Sequence, residues 1–163
     1  PRIAFVNKMD REGKEPLDLM DELESHLQMP ACPVNWPVFD GHKFCGVFER
    51  ASQLIHIFSA EKHGATAIEA ETVPLTEAET STKVSTRAVE RLKEDMELLD
   101  VAGDRYDVNR VLSGELSPLF FGSALTNFGV RPFLERFLEI AHGGCAPERR
   151  ASRGVGSFVR FTR

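Results

Sequence analysis

Apolar positions along this chain fall into three patterns, and each predicts a different element. Two unbroken runs, "IAFV" at 3–6 and "PLFF" at 118–121, leave no polar face. Runs of this kind predict inner strands of a parallel sheet, buried on both sides. A second pattern has helical spacing. Leu17, Met20, Leu23 and Leu27 follow Pro16, a residue suited to a first helical turn, and end at Pro30 and Pro33. Val89, Leu92, Met96 and Leu99 predict a helix over about 86–100, and a shorter one is predicted over 106–112, ending at Gly114. Val130, Phe133, Leu134, Phe137, Leu138 and Ala141 predict a last helix, opened at Pro132, stopped by Gly143-Gly144 and buried along that whole stripe.

The third pattern is mixed and strand-like. Residues 34–38, the turn signal Asp40-Gly41, then "KFCGVFER" and "QLIHIFSA" predict a small antiparallel meander over 34–60. Its core, with the helix that follows, is expected to be its own: Phe44, Val47, Ile55, Ile57, Leu92 and Met96. Residues 61–86 are rich in Glu, Thr, Ser and Ala without periodicity and predict an irregular connection. The order is thus strand–loop–helix, a long excursion, then strand–loop–helix. That describes part of a doubly wound α/β domain.

Ligands of open α/β sheets bind beyond the carboxyl ends of the strands. The first run ends in "NKMD" and the second in "GSAL". Asn-Lys-x-Asp arises by chance in about two chains in a hundred of this length, so the tetrapeptide alone decides little. Its place after a buried strand, with a second strand ending in Ser-Ala, decides more. The chemistry available there fits guanine. One carboxylate, Asp10, can accept from both N1–H and the N2 amino group of that base, a charge-assisted pair adenine cannot offer. The stem of Lys8 can lie on the base plane. Asn7 can bridge base and neighbouring loop through its amide, and backbone N–H groups of Ser123, Ala124 and Leu125 can donate to O6.

"NKMDR" and "FFGSALTNFGVRPFLE" resemble the guanine-recognition motifs of translational GTPases. With "CPVNWPVFDGHKFCGVFER" and "LSGELSPLFFGSAL", the chain looks most like the release factor 3 family of bacteria, within the elongation factor G-like group. The likeness covers almost the whole chain and is weakest over 61–86 and 142–156. It implies an α/β fold, the C-terminal half of a P-loop GTPase domain, with a parallel sheet, flanking helices and an inserted α+β subdomain. Residues 1–33 and 116–142 would form the back half of the GTP-binding domain and 34–115 the insertion. Residues 143–155, with Arg149, Arg150 and Arg153, would be a linker, and 156–163 the start of a β-barrel. The resemblance also implies GTP or GDP as ligand, Mg2+ in the full-length protein, and the ribosome and decoding release factors as partners. The expected activity is GTP hydrolysis during translation termination. An elongation factor G-like role and a non-catalytic scaffold are the alternatives.

Departures limit what this stretch can do. It has no GxxxxGKS or GxxxxGKT, hence no phosphate cradle and no hydroxyl for magnesium. "REGKEP" has the Gly-Lys but neither the earlier Gly nor the following Ser or Thr. "DVAG" at 100–103 copies a phosphate-sensing motif but follows a predicted helix and falls after the base motif. The chain alone is expected to be inactive. It begins at Pro1 inside one strand and ends inside another, and reads as an internal piece of a longer protein.

Composition adds boundaries. Hydrophobic residues are 42% and charged residues 28% of 163, a globular balance. The formal charge of −5 argues against a protein that coats nucleic acid. No apolar run approaches the roughly 18 residues of a membrane span, so no membrane partner is expected. Cys32, Cys45 and Cys145 form no CxxC pair and predict free thiols in a reducing, cytoplasmic setting. With His42 and His56 they lack zinc spacing, and no metal site is expected.

Overall fold

The computed structural model describes residues 1–57, 71–143 and 159–162. In chain order they form β1 (Ala4–Asn7), α1 (Pro16–Leu27), β2 (Ala31–Pro33), β3 (Asn35–Asp40), β4 (Lys43–Glu49), β5 (Leu54–Ile57), β6 (Glu71–Pro74), α2 (Thr86–Ala102), α3 (Val108–Ser113), β7 (Ser117–Phe121), α4 (Val130–Gly143) and β8 (Val159–Thr162). Two sheets result, β2-β7-β1-β8 and β3-β4-β5-β6.

The first sheet is parallel throughout, with Phe5 opposite Phe120 on the neighbouring strand. Its unbroken apolar strands are buried on both faces. Ala4, Val6, Leu119 and Phe121 point into the large core, whereas Phe5 and Phe120 meet Phe133 of α4 on the other side. The Phe133 ring sits 5.0 Å from Phe5 and 5.3 Å from Phe120, centroid to centroid. The second sheet is an antiparallel meander, with α2 lying on it through Ala88, Val89, Leu92 and Leu99. α2 starts where Ser85 accepts from the Ala88 N–H, and α3 where Asp107 accepts from Asn109 and Arg110. Pro16 occupies the first turn of α1, as its fixed φ favours.

Several expectations change. The insertion does not have a separate core. Trp36, Phe44, Val47, Phe48 and Ile55 share one continuous cluster with Val6, Met9 and Phe121 of the parallel sheet. One face of the meander had to be covered, and β1 and β7 cover it together with α1. Within 61–86 the structure contains β6, whose Val73 is buried. Only one of its four residues faces the core, too few to make a periodic signal. Residues 58–70 lie outside the described residues. Before the meander, a three-residue strand, β2, extends the parallel sheet. Pro30 before it and Pro33 as its last residue hid it.

The stripe on α4 is also only partly buried. Phe133 and Ile140 are covered, but Leu134, Phe137 and Leu138 are about half exposed. The helix meets the sheet along a narrower line than its apolar positions offer. Val159–Thr162, expected from sequence to open a β-barrel domain, pair in parallel with β1 from Ala4 to Asn7. Of the expected linker 143–155, all but Gly143 falls outside the described residues, as does Cys145.

Candidate functional site

The carboxyl ends of β1 and β7 lie side by side, and the six residues singled out from sequence flank that junction. Asn7 is the last residue of β1 and only 5% exposed. Its Oδ1 accepts from the Lys8 N–H and from the Ala124 N–H, both at 2.8 Å. One side-chain oxygen therefore ties the two loops together. Its Nδ2 has no hydrogen-bond partner among the described residues.

Lys8 leaves the strand with φ of +67°, the left-handed region that a residue bearing a Cβ rarely enters. This single inversion separates the next two side chains. Met9 turns back into the core, fully buried, with its N–H on the Gly122 carbonyl at 3.1 Å. Asp10 turns towards the rim, where Arg11 N–H closes a turn on the Lys8 carbonyl. The Oδ1 of Asp10 is buried and accepts no hydrogen bond. A buried carboxylate oxygen without a donor is costly, on the order of 1–3 kcal/mol or more for a charged group, and calls for an explanation.

The β7 loop is held from within. Ser123 is fully buried and exchanges two backbone hydrogen bonds with Phe128, each 2.9 Å. Its N–H is therefore engaged, and that of Ala124 goes to Asn7. The N–H of Leu125 has no acceptor among the described residues, and this residue is largely exposed. Of the three donors expected from sequence, Leu125 is thus the open one and Ala124 the shared one. Gly122 makes the approach possible: a Cβ there would lie 2.5 Å from the Phe128 carbonyl oxygen and 2.9 Å from the Phe5 ring. Gly129, at φ of +75°, then turns the chain into α4.

Other sequence signals fall elsewhere. "DVAG" forms the C-terminal end of α2, with the Gly103 N–H on the Leu99 carbonyl, and is no phosphate sensor. Among the described residues, no group of three or more His, Cys, Asp or Glu is arranged to hold a metal ion. Cys32 is buried, and that burial pushes its thiol up to about 11. No helix among the described residues is long and apolar enough to cross a membrane.

The strand ends thus bring together an orphaned carboxylate oxygen on Asp10 and an open N–H on Leu125. The model of the elongation factor Tu GTP binding domain matches residues 1–142. The chain belongs to that family. Among curated members it is 46% identical over 156 residues to a peptide chain release factor 3 of Microcystis aeruginosa, covering 95% of this chain and 28% of that protein. It is 49% identical over 141 residues to the peptide chain release factor 3 of Symbiobacterium thermophilum, 86% of this chain and 27% of the relative. The chain thus spans little more than a quarter of the length of these relatives. In fold it is similar to a crystal structure of a Thermus thermophilus protein, with a TM-score of 0.50 and 22% identity over 86% of this chain and 22% of that one. The parallel sheet expected from the two apolar runs holds, as does the GTP-binding domain fold that the resemblance implied.

Asn35 is the residue the sequence reading passed over. It is 3% exposed and hydrogen-bonds the backbone of Phe121 with both ends of its amide. A lone Asn inside "CPVNWPVF" was the available signal, since a buried amide requires partners.

Proposed function

We propose that this chain is the base-reading part of a translational GTPase that acts in termination, where GTP binding and hydrolysis accompany removal of decoding release factors from the ribosome. The buried, unpartnered Oδ1 of Asp10 carries the base assignment. It lacks a donor, and guanine offers two on one edge. In this reading the carboxylate of Asp10 accepts from N1–H and the N2 amino group, while the methylene stem of Lys8 covers the base plane. Asn7 spends its Oδ1 on the second loop and turns Nδ2 to the base. The open N–H of Leu125 donates to O6, the Ala124 N–H is shared between O6 and Asn7, and Ser123 holds that loop in shape. An adenine 6-amino group would meet donors with a donor. Termination as the setting is supported by relatives named release factor 3.

Hydrolysis itself belongs to parts that this sequence does not contain. The phosphate loop and its magnesium ligand have no counterpart among these residues, so no step of phosphoryl transfer runs through them. This chain contributes choice of base. A protein that chooses GTP over ATP in the cytoplasm draws on a separate nucleotide pool, and that is the service this half of the domain performs.

The test is Asp10→Asn in the full-length protein, with GTP and XTP in competition. An Asn amide presents one acceptor and one donor where the carboxylate had two acceptors, so guanine meets donor against donor at N2. Xanthine carries a carbonyl there and accepts. Guanine binding should fall tenfold to a thousandfold, roughly 1.4–4 kcal/mol, and xanthine should gain. If wild type and variant rank the two nucleotides alike, Asp10 does not read the base.

A further inference from the structure

β2 runs beside β7 only as far as Pro33 opposite Leu119, and the Val34 N–H makes the last backbone bond, to the Leu119 carbonyl. There the chain turns away to begin β3. Phe121, the final residue of β7, would be left with a bare edge on that side. The side chain of Asn35 fills the gap as a peptide group would. Its Oδ1 accepts from the Phe121 N–H at 2.7 Å, and its Nδ2 donates to the Phe121 carbonyl at 3.0 Å. The next residues along the chain are Gly122 and then the Ser123–Ala124–Leu125 loop.

Two ring contacts reinforce this support. Trp36 meets the Phe121 ring edge-on at 5.2 Å, and Phe44 of β4 meets Phe128, the backbone partner of Ser123, at 5.8 Å. The β1 side of the loop is held by two backbone bonds: the Met9 N–H donates to the Gly122 carbonyl and the Gly122 N–H donates to the Val6 carbonyl. The opposite side is held by the first residues of the antiparallel sheet.

We propose that Asn35 is a positioning residue for base recognition. It sets the aim of the loop N–H groups at O6, and through it the inserted antiparallel sheet tunes how strongly O6 is read. A displacement of that sheet, for example by a partner bound to it, would be felt at the base. The inference rests on the base-site reading given above. It adds a dependence of that site on a subdomain that does not touch the nucleotide.

The experiment compares dissociation constants of GDP, 6-thio-GDP and IDP for the full-length protein. The thio analogue weakens the O6 acceptor and keeps the edge that Asp10 reads, whereas IDP keeps O6 and lacks the N2 amino group. In Asn35→Ala the preference for GDP over 6-thio-GDP should shrink by roughly threefold to tenfold, as expected for one mis-aimed hydrogen bond. The preference for GDP over IDP should stay at the wild-type value. Asn35→Asp keeps the acceptor for Phe121 N–H but sets an oxygen against the Phe121 carbonyl, and should shift the same ratio in the same direction. Val111→Ala, a core change in α3 within a separate cluster, should lower the melting temperature and move neither ratio. The proposal is overturned if both Asn35 variants keep the wild-type ratios, or if Val111→Ala shifts the thio ratio as much as they do. A wild type that does not distinguish GDP from IDP would overturn the base-site reading, and this inference with it.

Discussion

The two sheets of this molecule are built to opposite plans. In the parallel sheet, strands of four and five residues, β1 and β7, are buried along their whole length, and the residues proposed to read the base follow where they stop. In the antiparallel sheet, β3 and β4 are buried through Asn35–Val38 and Gly46–Phe48, and the exposed polar residues lie at the turns and on the outer strand β6. The comparison teaches where function can be placed. A fully buried parallel strand has no room for polar groups on its sides, so its end is its only chemical surface. An antiparallel strand can shed polar groups sideways and is free to serve as support. Asn35, where the chain passes from one sheet to the other, has a polar side chain committed wholly to its neighbour's backbone.

If the second sheet is support for the first, breaking its largest buried side chain should be felt in both. Trp36 is fully buried, packs on Phe121 and donates its indole N–H to Asp95 at 2.9 Å. Trp36→Ala should cost about 3–5 kcal/mol, in the range of large aromatic truncations. Thermal unfolding followed by tryptophan-independent circular dichroism should show a single transition at lower temperature. Two separated transitions would mean that the sheets are independent bodies after all.

A smaller effect should come from the strand-end side. Gly122→Ala would push a methyl group against the Phe128 carbonyl and the Phe5 ring. A cost of roughly 1–3 kcal/mol is expected, as for overpacking. It should weaken guanine nucleotide binding beyond its effect on melting, because the displaced segment is the loop proposed to read the base. Equal binding by the variant at temperatures where it is folded would remove Gly122 from the site.

The smallest change tests the support sheet alone. Burial raises the Asp95 carboxyl above its usual 3.8, while the Trp36 N–H bond lowers it by less. The unfolded chain therefore ionises first as pH rises. Stability is undiminished at acid pH and is lost as pH climbs through the folded-state value. Asp95→Asn keeps an acceptor for Trp36 and removes that loss. It should raise the melting temperature at neutral pH by a degree or two, about 0.5 kcal/mol or less for a half-buried group. The gain should vanish at low pH. A gain that is the same at both pH values would point to a cause other than ionisation.

Much of this was legible in the sequence, and the residues show why. Unbroken apolar runs such as 3–6 have one physical explanation, so the parallel strands and the polar groups at their ends could be placed. Pro16 and Gly114 marked helix ends through local chemistry. What was missed depends on contacts distant in sequence. β6 shows a single buried side chain, β2 is three residues long and ends in a proline, and the shared core of the two sheets joins Phe44 to Val6 across most of the first fifty residues. The exposed side of α4 was overread because spacing reports which residues are apolar, not how much neighbouring surface exists to cover them. In the base loop, sequence named three candidate N–H donors without revealing that Phe128 and Asn7 already occupy two of them.

The inverted backbone at Lys8 sets two selective pressures against each other. A residue with a Cβ at φ of +67° costs on the order of 1 kcal/mol, which glycine would recover. On the proposed reading, glycine would also remove the aliphatic stem that covers the base. Selection for a more stable fold and selection for a tighter nucleotide would therefore favour different residues at this one position. A lineage that had ceased to bind guanine would be free to drift there towards glycine or asparagine, and the identity of the residue at this turn becomes a sequence-level record of whether the pocket is still in use.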